Sequence, residues 1–199
     1  RYTLNLYCCK PDRAAQLAEA GFLVDAAFDK LAAEAEIQAA LDRLRRDQGN
    51  AWLTTMVALP HGRICAEIWH RTLAGGLDGE LESGLSLYAL SRQVDLSAKL
   101  RFAALGLSYI HLTGICQAQP RPTRLASLAR VAVDYGSRAE AITALNQLCS
   151  EVVAAGPLNA DEPFVAPYER FDAIVPKDSL KNWLAAASLE ALEKYNAYY

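Results

Sequence analysis

The stretch between Pro122 and Ala155 constrains the fold of this chain most, because two runs of helical periodicity flank a single glycine there. Apolar residues recur every three or four positions on each side of Gly136. They are Leu125, Leu128, Ala132 and Tyr135 before the glycine, and Ala141, Leu145, Leu148 and Val152 after it. Ser137 can cap the second run, with Glu140 three residues further on. The pattern predicts a helix, a tight turn and a second helix.

The same stretch resembles the TPR motif. That family places a large and then a small residue on its first helix, a glycine at the turn and a small residue on its second helix. Leu128, Ala129, Gly136, Ala141 and Leu145 occupy those places. Steps of about 34 residues in either direction, the repeat length of the family, reach residues that do not fit the motif. The resemblance therefore implies one TPR-like hairpin over residues 122–155, either alone or at the end of a divergent array, and does not demonstrate a repeat domain.

Several short strings are similar to segments in helical regions beside FkbM-type methyltransferase or bacterial glycosyltransferase domains. They are Leu4-Asn5-Leu6, Lys10-Pro11-Asp12-Arg13-Ala14, Glu162-Pro163-Phe164, Glu169-Arg170-Phe171-Asp172 and Asn182-Trp183. This similarity implies a helical appendage of a transferase and carries over no catalytic residue. On this alternative the cofactor is S-adenosylmethionine or a nucleotide sugar; otherwise the residues indicate no cofactor.

Helical periodicity covers most of the remaining chain. A first helix is predicted from Pro11 to a stop at Gly21, a second from Asp25 to Gly49, and a last one from a cap at Asp178 or Ser179 to the end. The other helical segments are predicted around residues 51–59, 63–73, 80–94 and 97–116. Their short loops favour antiparallel neighbours. The predicted fold class is mainly α, with antiparallel helical hairpins in a TPR-like or α-solenoid or bundle arrangement.

Two segments depart from the helical pattern. Residues 1–9 alternate polar and apolar side chains, which predicts one short N-terminal strand. Residues 157–177, called the strap below, carry four prolines among aromatic residues. A segment of this length without regular structure is either a binding loop or a structural strap, and the strap is favoured because the aromatic residues would be costly to leave in water. We therefore divide the chain into a strand remnant or linker (1–10), a helical domain (11–156), and the strap with a C-terminal helix packed on it (157–199). Because the chain starts with Arg1, we expect it to be part of a longer protein.

Composition narrows the class of protein. A net charge of −3 gives no general attraction to nucleic acid, and the longest uncharged stretch, residues 102–120, contains too many polar groups for a membrane span. The five cysteines lack the spacing of a disulfide framework or a zinc module. They are Cys8, Cys9, Cys65, Cys116 and Cys149. Reduced thiols in a cytoplasmic protein are expected.

Two possible sites of chemistry have simpler structural explanations. Cys65 with His70, and His111 with Cys116, are each five residues apart, so neither pair shares a helix face as i and i+4 ligands do. The glycine-rich residues 75–79 lack the Lys-Ser/Thr of a P-loop. We expect no metal site and a plain connection between helices. No catalytic constellation is visible, so enzymatic activity stays undecided.

A stack of paired helices leaves one face free for a peptide or another domain. We therefore expect a helical protein-interaction or accessory domain whose partner is a protein or peptide, such as a transferase domain of the same polypeptide. The candidate contact residues are Asp134, Tyr135, Arg138, Tyr168, Glu169 and Arg170. The alternatives are a fragment of a bacterial transferase and a small-molecule-binding helical bundle.

Overall fold

The computed structural model describes residues 11–19, 35–42, 51–154, 156–177 and 179–196. These residues form α-helices, one short 3₁₀ helix and irregular segments, without a strand. The α-helices are α1 (Pro11–Glu19), α2 (residues 35–42), α3 (Ala51–Ala58), α4 (Pro60–Gly75), α5 (Gly79–Ser91), α6 (Ala98–Ala118), α7 (Pro122–Tyr135), α8 (Arg138–Ala154) and α9 (Leu180–Asn196). The prediction of a mainly α fold is confirmed. The strand predicted over residues 1–9 lies outside the described residues.

Successive helices pack against one another from α5 to α9. Helices α5 and α6 are antiparallel, because His111 near the end of α6 contacts Glu80 at the start of α5, with 2.7 Å between Nδ1 and Oε2. Deeper in the same pair, the Ser108 hydroxyl donates to the Gly84 carbonyl at 2.7 Å. A Cβ at Gly84 would lie 2.9 Å from the side chain of Leu112, so the glycine lets α6 approach closely.

The predicted hairpin is formed by α7 and α8, which are joined at Gly136 and packed together. Gly136 has φ +92°, a left-handed conformation that glycine adopts without a Cβ clash. Its N–H donates to the Val133 carbonyl at 3.0 Å, and the Ser137 N–H donates to Ala132 at 2.7 Å. These two bonds form a Schellman motif and satisfy carbonyls that the helix end leaves free. Ala129 and Ala141 are fully buried, as close helix packing requires.

Local capping explains where α5, α6 and α9 begin. The Asp78 carboxylate accepts from the N–H groups of Glu80 and Leu81 at the start of α5. The hydroxyls of Ser97 and Ser179 accept from Leu100 and Asn182, at 3.3 and 3.0 Å. Each of these side chains satisfies an N–H that has no partner within its helix.

The predicted start of α4 at Arg63 is three residues late. The helix begins at Pro60, because proline lacks an N–H and is suited to a first helical position. Gly62 therefore lies inside the helix and not in a loop. A Cβ at this position would stand 2.0 Å from the Met56 carbonyl oxygen, so only glycine lets α4 turn back so tightly on α3.

The main core joins residues of α3 to α9 and the strap. A second, smaller core lies between α2, α5 and α6, where Ile37 and Leu41 pack with Leu87, Leu90 and Ala104. Across the described ranges, no helix combines the length and the apolar composition that crossing a membrane requires.

Candidate functional site

Three aromatic rings form a stack on the outside of α6 and α7. The Tyr135 ring lies 5.5 Å from Phe102 and 5.1 Å from Tyr109, at interplanar angles of 25° and 21°. Tyr135 is 37% exposed and Phe102 is 44% exposed. We call Phe102, Tyr109 and Tyr135 the aromatic face. It is an apolar surface whose rings are held in place by one another.

Gly106 and Ser137 position this face. Gly106 lies between Phe102 and Tyr109 along α6, and a Cβ there would meet Cε2 of Tyr135 at 3.3 Å. The glycine therefore leaves room for the Tyr135 ring between its two neighbours. The hydroxyls of Tyr109 and Ser137 lie 3.2 Å apart, which ties the ring of α6 to the turn of the α7–α8 hairpin.

Asp134, the neighbour of Tyr135, lies in a network of charged and polar groups. The Tyr88 hydroxyl donates to its carboxylate at 3.1 Å, and Nε of Arg130 lies 3.4 Å from the same oxygen. Burial raises the pKa of the Tyr88 phenol well above its usual range, so this hydroxyl remains a donor. The Arg92 guanidinium is 3.8 Å from Asp134 and 3.8 Å from Glu169. Two predicted contact residues, Asp134 and Glu169, therefore meet at Arg92.

Arg130 connects this network to the strap. Its guanidinium is 4% exposed and donates to both carboxylate oxygens of Asp172, at 3.4 and 2.9 Å. It also donates to the Ala166 carbonyl at 3.3 Å. A charge this deeply buried is stable only when paired and hydrogen-bonded. Arg130 therefore holds the strap on α7.

The four other predicted contact residues lie elsewhere. Tyr135 belongs to the aromatic face, whereas Tyr168 has the ammonium of Lys194 4.6 Å above its ring. Arg170 pairs with a carboxylate of α9, and Arg138 donates to a backbone carbonyl of α9. The six predicted residues therefore fall into three groups. Asp134 and Glu169 lie beside Arg92, Tyr135 belongs to the aromatic face, and Arg138, Tyr168 and Arg170 contact α9.

Helix α4 also binds the strap through hydrogen bonds from its side chains to backbone carbonyls. The Trp69 indole N–H donates to Ala160 at 3.0 Å, and the Thr72 hydroxyl donates to Asp161 at 2.7 Å. On α7, the buried Arg124 guanidinium pairs with Glu162, which is part of one transferase-like string. The carboxylates of Glu162 and Asp172 are therefore engaged in holding the strap to α7.

His61 lies fully buried beneath the strap. Its Nε2 is 3.2 Å from the Phe164 carbonyl oxygen, and its ring stacks on Trp183 at 4.8 Å. Because a carbonyl only accepts, Nε2 carries the proton and donates. Nδ1 has no hydrogen-bond partner among the described residues. Desolvation lowers the pKa of His61 below its usual 6.5, which keeps the ring neutral.

A small cavity opens beside Arg130 and Arg92. Its volume is about 180 Å³, and it lies between α3, α5, α7 and the strap. Its wall combines the side chains of Met56, Leu59 and Val165 with those of Arg92 and Asp172. Arg130 also lines the cavity, which therefore offers apolar surface, two cations and one anion.

Three further features were candidates in the sequence: the His and Cys pairs, the cysteines and the glycine-rich connection. No three His, Cys, Asp or Glu side chains there are grouped as metal ligands would be. Burial raises the pKa of Cys65 to about 11 and that of Cys116 to about 12, so both thiols stay protonated at neutral pH. Asp78, in the glycine-rich connection, caps α5 with its own carboxylate at the place where an anion would bind.

Sequence reasoning missed two residues of the aromatic face, Phe102 and Tyr109. It also missed Tyr88 and Arg92, which contact Asp134. The spacing of Phe102, Gly106 and Tyr109 was the available signal, because residues four and three apart share a helix face. Arg92 and Tyr88 carried no comparable signal, since their partners come from α7 and the strap.

No family model, curated protein or solved structure matches this chain.

Proposed function

We propose that this chain is a helical protein-interaction or accessory domain whose partner is a protein or peptide. The observation that carries the proposal is the aromatic face, a stack of three rings on a helical scaffold, of which Phe102 and Tyr135 are exposed to solvent. On this proposal the α7–α8 hairpin is the TPR-like unit, and Tyr135 is the last residue of its first helix, beside the turn at Gly136. The partner contributes an apolar or aromatic anchor that covers Phe102 and Tyr135.

The rings of the aromatic face suit binding because they are already ordered. Side chains with few rotatable bonds lose little entropy when a partner covers them, and aromatic residues are enriched at interfaces. Here the ring of Tyr135 is held between Phe102 and Tyr109 before any partner arrives. The conformational entropy of these side chains is therefore already lost on folding, so little more is lost when a partner binds.

The charged groups near the face suit its rim. Arg92 has a side chain that is 52% exposed, and that of Glu169 is 70% exposed. Both lie close to Asp134, the residue beside Tyr135. Exposed charges at the edge of an apolar patch steer association and orient the partner more than they add to its affinity.

The substitution Phe102→Ser tests the proposal, with Val153→Ser as its matched control. Val153 is an exposed apolar residue of α8, at 81%, and is not part of the aromatic face. Each variant and the unaltered chain serve as bait in a cell extract, and bound proteins are quantified by mass spectrometry. We expect a partner that the unaltered chain and V153S retain and that F102S loses about tenfold or more, since an anchor pocket contributes about 1.4 kcal/mol or more.

A peptide from the retained partner then provides a direct measurement. It should bind the purified chain in a fluorescence-anisotropy titration, and F102S should weaken that binding by a similar factor. Circular dichroism melts establish that F102S is folded. The proposal is wrong if every protein retained by the chain is retained equally by F102S, or if no partner is retained and the purified chain is monomeric.

A further inference from the structure

The cavity between α3, α5, α7 and the strap has the size of a small organic molecule. Its volume is about 180 Å³. A cavity of about 150 Å³ accommodates benzene, so this one suits a ligand of roughly six to ten non-hydrogen atoms. Any ligand of that size would contact both the apolar and the charged parts of the wall at once.

Arg92 is a cation whose carboxylate partners are too distant for hydrogen bonds to its guanidinium. Its guanidinium has five N–H donors, and its nearest carboxylates, those of Asp134 and Glu169, are both 3.8 Å away and therefore beyond hydrogen-bond distance. Its side chain is about half exposed at the opening of the cavity. Arg92 can turn from these long contacts to a carboxylate in the cavity and form shorter, two-bond contacts with it.

Asp172 is the anion of the same wall. Arg130 donates once to each of its carboxylate oxygens, and each oxygen has a second lone pair. The Asp172 side chain is 27% exposed, so an additional donor can reach it. Arg130, by contrast, is already occupied by Asp134, Asp172 and a backbone carbonyl. It holds Asp172 in place and leaves the carboxylate available to a ligand.

Met56, Leu59 and Val165 supply the apolar remainder of the wall. A ligand that carries only a carboxylate would leave the free side of Asp172 unmatched and add a negative charge near Asp134 and Glu169. A ligand that carries only an ammonium would place its positive charge near the positive charge of Arg92, which would repel it. A ligand that carries both charged groups on one carbon atom, together with an apolar side chain, offers a partner to Arg92, to Asp172 and to the apolar residues of the wall.

We propose that this cavity binds a free α-amino acid with a small apolar side chain. The α-carboxylate binds the Arg92 guanidinium, the α-ammonium donates to Asp172, and the side chain packs against Met56, Leu59 and Val165. The cavity wall contains no residue of the aromatic face, although Arg92 also lies at the rim of that face. Amino-acid binding is therefore a second binding function, with a ligand distinct from the partner proposed above.

Isothermal titration calorimetry of the full chain with L-leucine, L-valine, L-isoleucine and L-methionine tests the proposal. We expect at least one of them to bind with a dissociation constant between about 10 μM and 1 mM, which is reasonable for a ligand of this size. Two analogues of leucine probe the two charges in the unaltered protein. One is 4-methylpentanoate, which lacks the ammonium, and the other is 3-methylbutylamine, which lacks the carboxylate. Each should bind at least about tenfold more weakly than leucine, as expected for the loss of a charged hydrogen bond.

The variant Arg92→Gln should weaken amino-acid binding by about tenfold or more, since it removes the cation that binds the carboxylate. The matched control Arg71→Gln replaces an exposed arginine of α4 that is not part of the cavity wall, and it should bind like the unaltered chain. The proposal is overturned if none of the four amino acids binds at 10 mM, about ten times the weakest expected dissociation constant. It is also overturned if either analogue binds as tightly as leucine, or if folded R92Q binds leucine as well as R71Q does.

Discussion

Arg124 of α7 and Glu162 of the strap form a buried ion pair between residues 38 positions apart in the sequence. The Arg124 Nε donates to Oε2 of Glu162 at 2.8 Å, and a second guanidinium nitrogen binds Oε1. Their side chains are 3% and 8% exposed. Each charge is almost fully removed from water, so the pairing is needed to stabilise both, although Arg121 also lies 3.2 Å from Glu162 and Arg124 also donates to Gln119. The pair therefore fixes one point of the strap on the helical hairpin.

Glu162→Ala should lower the free energy of unfolding by about 3 to 5 kcal/mol, because it leaves the Arg124 guanidinium buried without its carboxylate. Urea denaturation followed by circular dichroism measures this change. The control Glu190→Ala removes the surface pair with Arg170, and its cost should stay below about 1 kcal/mol. Equal losses in the two variants would contradict the structural role given to the buried pair.

The α7–α8 hairpin was predictable because its determinants are local. Its two apolar faces, its turn glycine and its small residues all lie within one short stretch. The contacts of the strap were not predictable, because they join residues that are distant in sequence. Trp69 reaches Ala160 across 91 positions, and His61 reaches Phe164 across 103. Nothing in the periodicity of α4 indicates which carbonyl its side chains will meet.

The aromatic face also contains residues that were predicted from the sequence and residues that were not. Tyr135 was predicted as a contact residue on the free face of the paired helices. The spacing of Phe102 and Tyr109 places them on one face of α6, but they were not predicted as contact residues, because the apolar character of α6 extends around much of the helix. A helix that is apolar on several sides does not indicate which side its neighbours cover. The packing of α5 and α7 against α6 determines that the side of α6 with Phe102 and Tyr109 stays partly exposed to solvent.

Two glycines within helices should respond to alanine in opposite directions. Gly62→Ala would place a Cβ 2.0 Å from the Met56 carbonyl oxygen, so α4 must shift away from α3. We expect a loss of about 1 to 3 kcal/mol, since backbone atoms cannot easily move aside. In α6, a Cβ at Gly114 would meet nothing within 4 Å, so Gly114→Ala should add about 0.5 to 1 kcal/mol. Urea denaturation of both variants shows whether each raises or lowers the free energy of unfolding. A stabilised G62A would refute the close contact between α4 and α3.

Gly136→Ala should destabilise the hairpin although there is open space around the residue. A Cβ at Gly136 would meet nothing within 4 Å, but its φ of +92° is one that side chains rarely adopt. The expected cost is about 1 to 2 kcal/mol. Gly136→Asn should cost less, because asparagine tolerates this conformation better. Thermal melts of the two variants compare them; an alanine variant as stable as the asparagine one would show that the turn does not need its left-handed residue.

His61 should make the free energy of unfolding fall as the pH drops below 6.5. Burial lowers the pKa of His61 in the folded chain below the 6.5 of an exposed histidine. The unfolded chain therefore binds this proton first as the pH falls. The stabilisation is fully present above pH 6.5 and is lost progressively below it until the folded pKa is reached. The slope attributable to one proton cannot exceed about 1.4 kcal/mol per pH unit.

Urea denaturation at a series of pH values measures this slope, and His61→Gln should remove it. The glutamine amide can still donate toward the Phe164 carbonyl but does not titrate. The charged groups that act on the ring, Asp172 and Arg130, are unchanged in this variant. The double variant His70→Gln with His111→Gln serves as the control and should keep the slope, because neither ring is buried. If the slope instead disappears in the double variant and persists in H61Q, the buried ring is not its source.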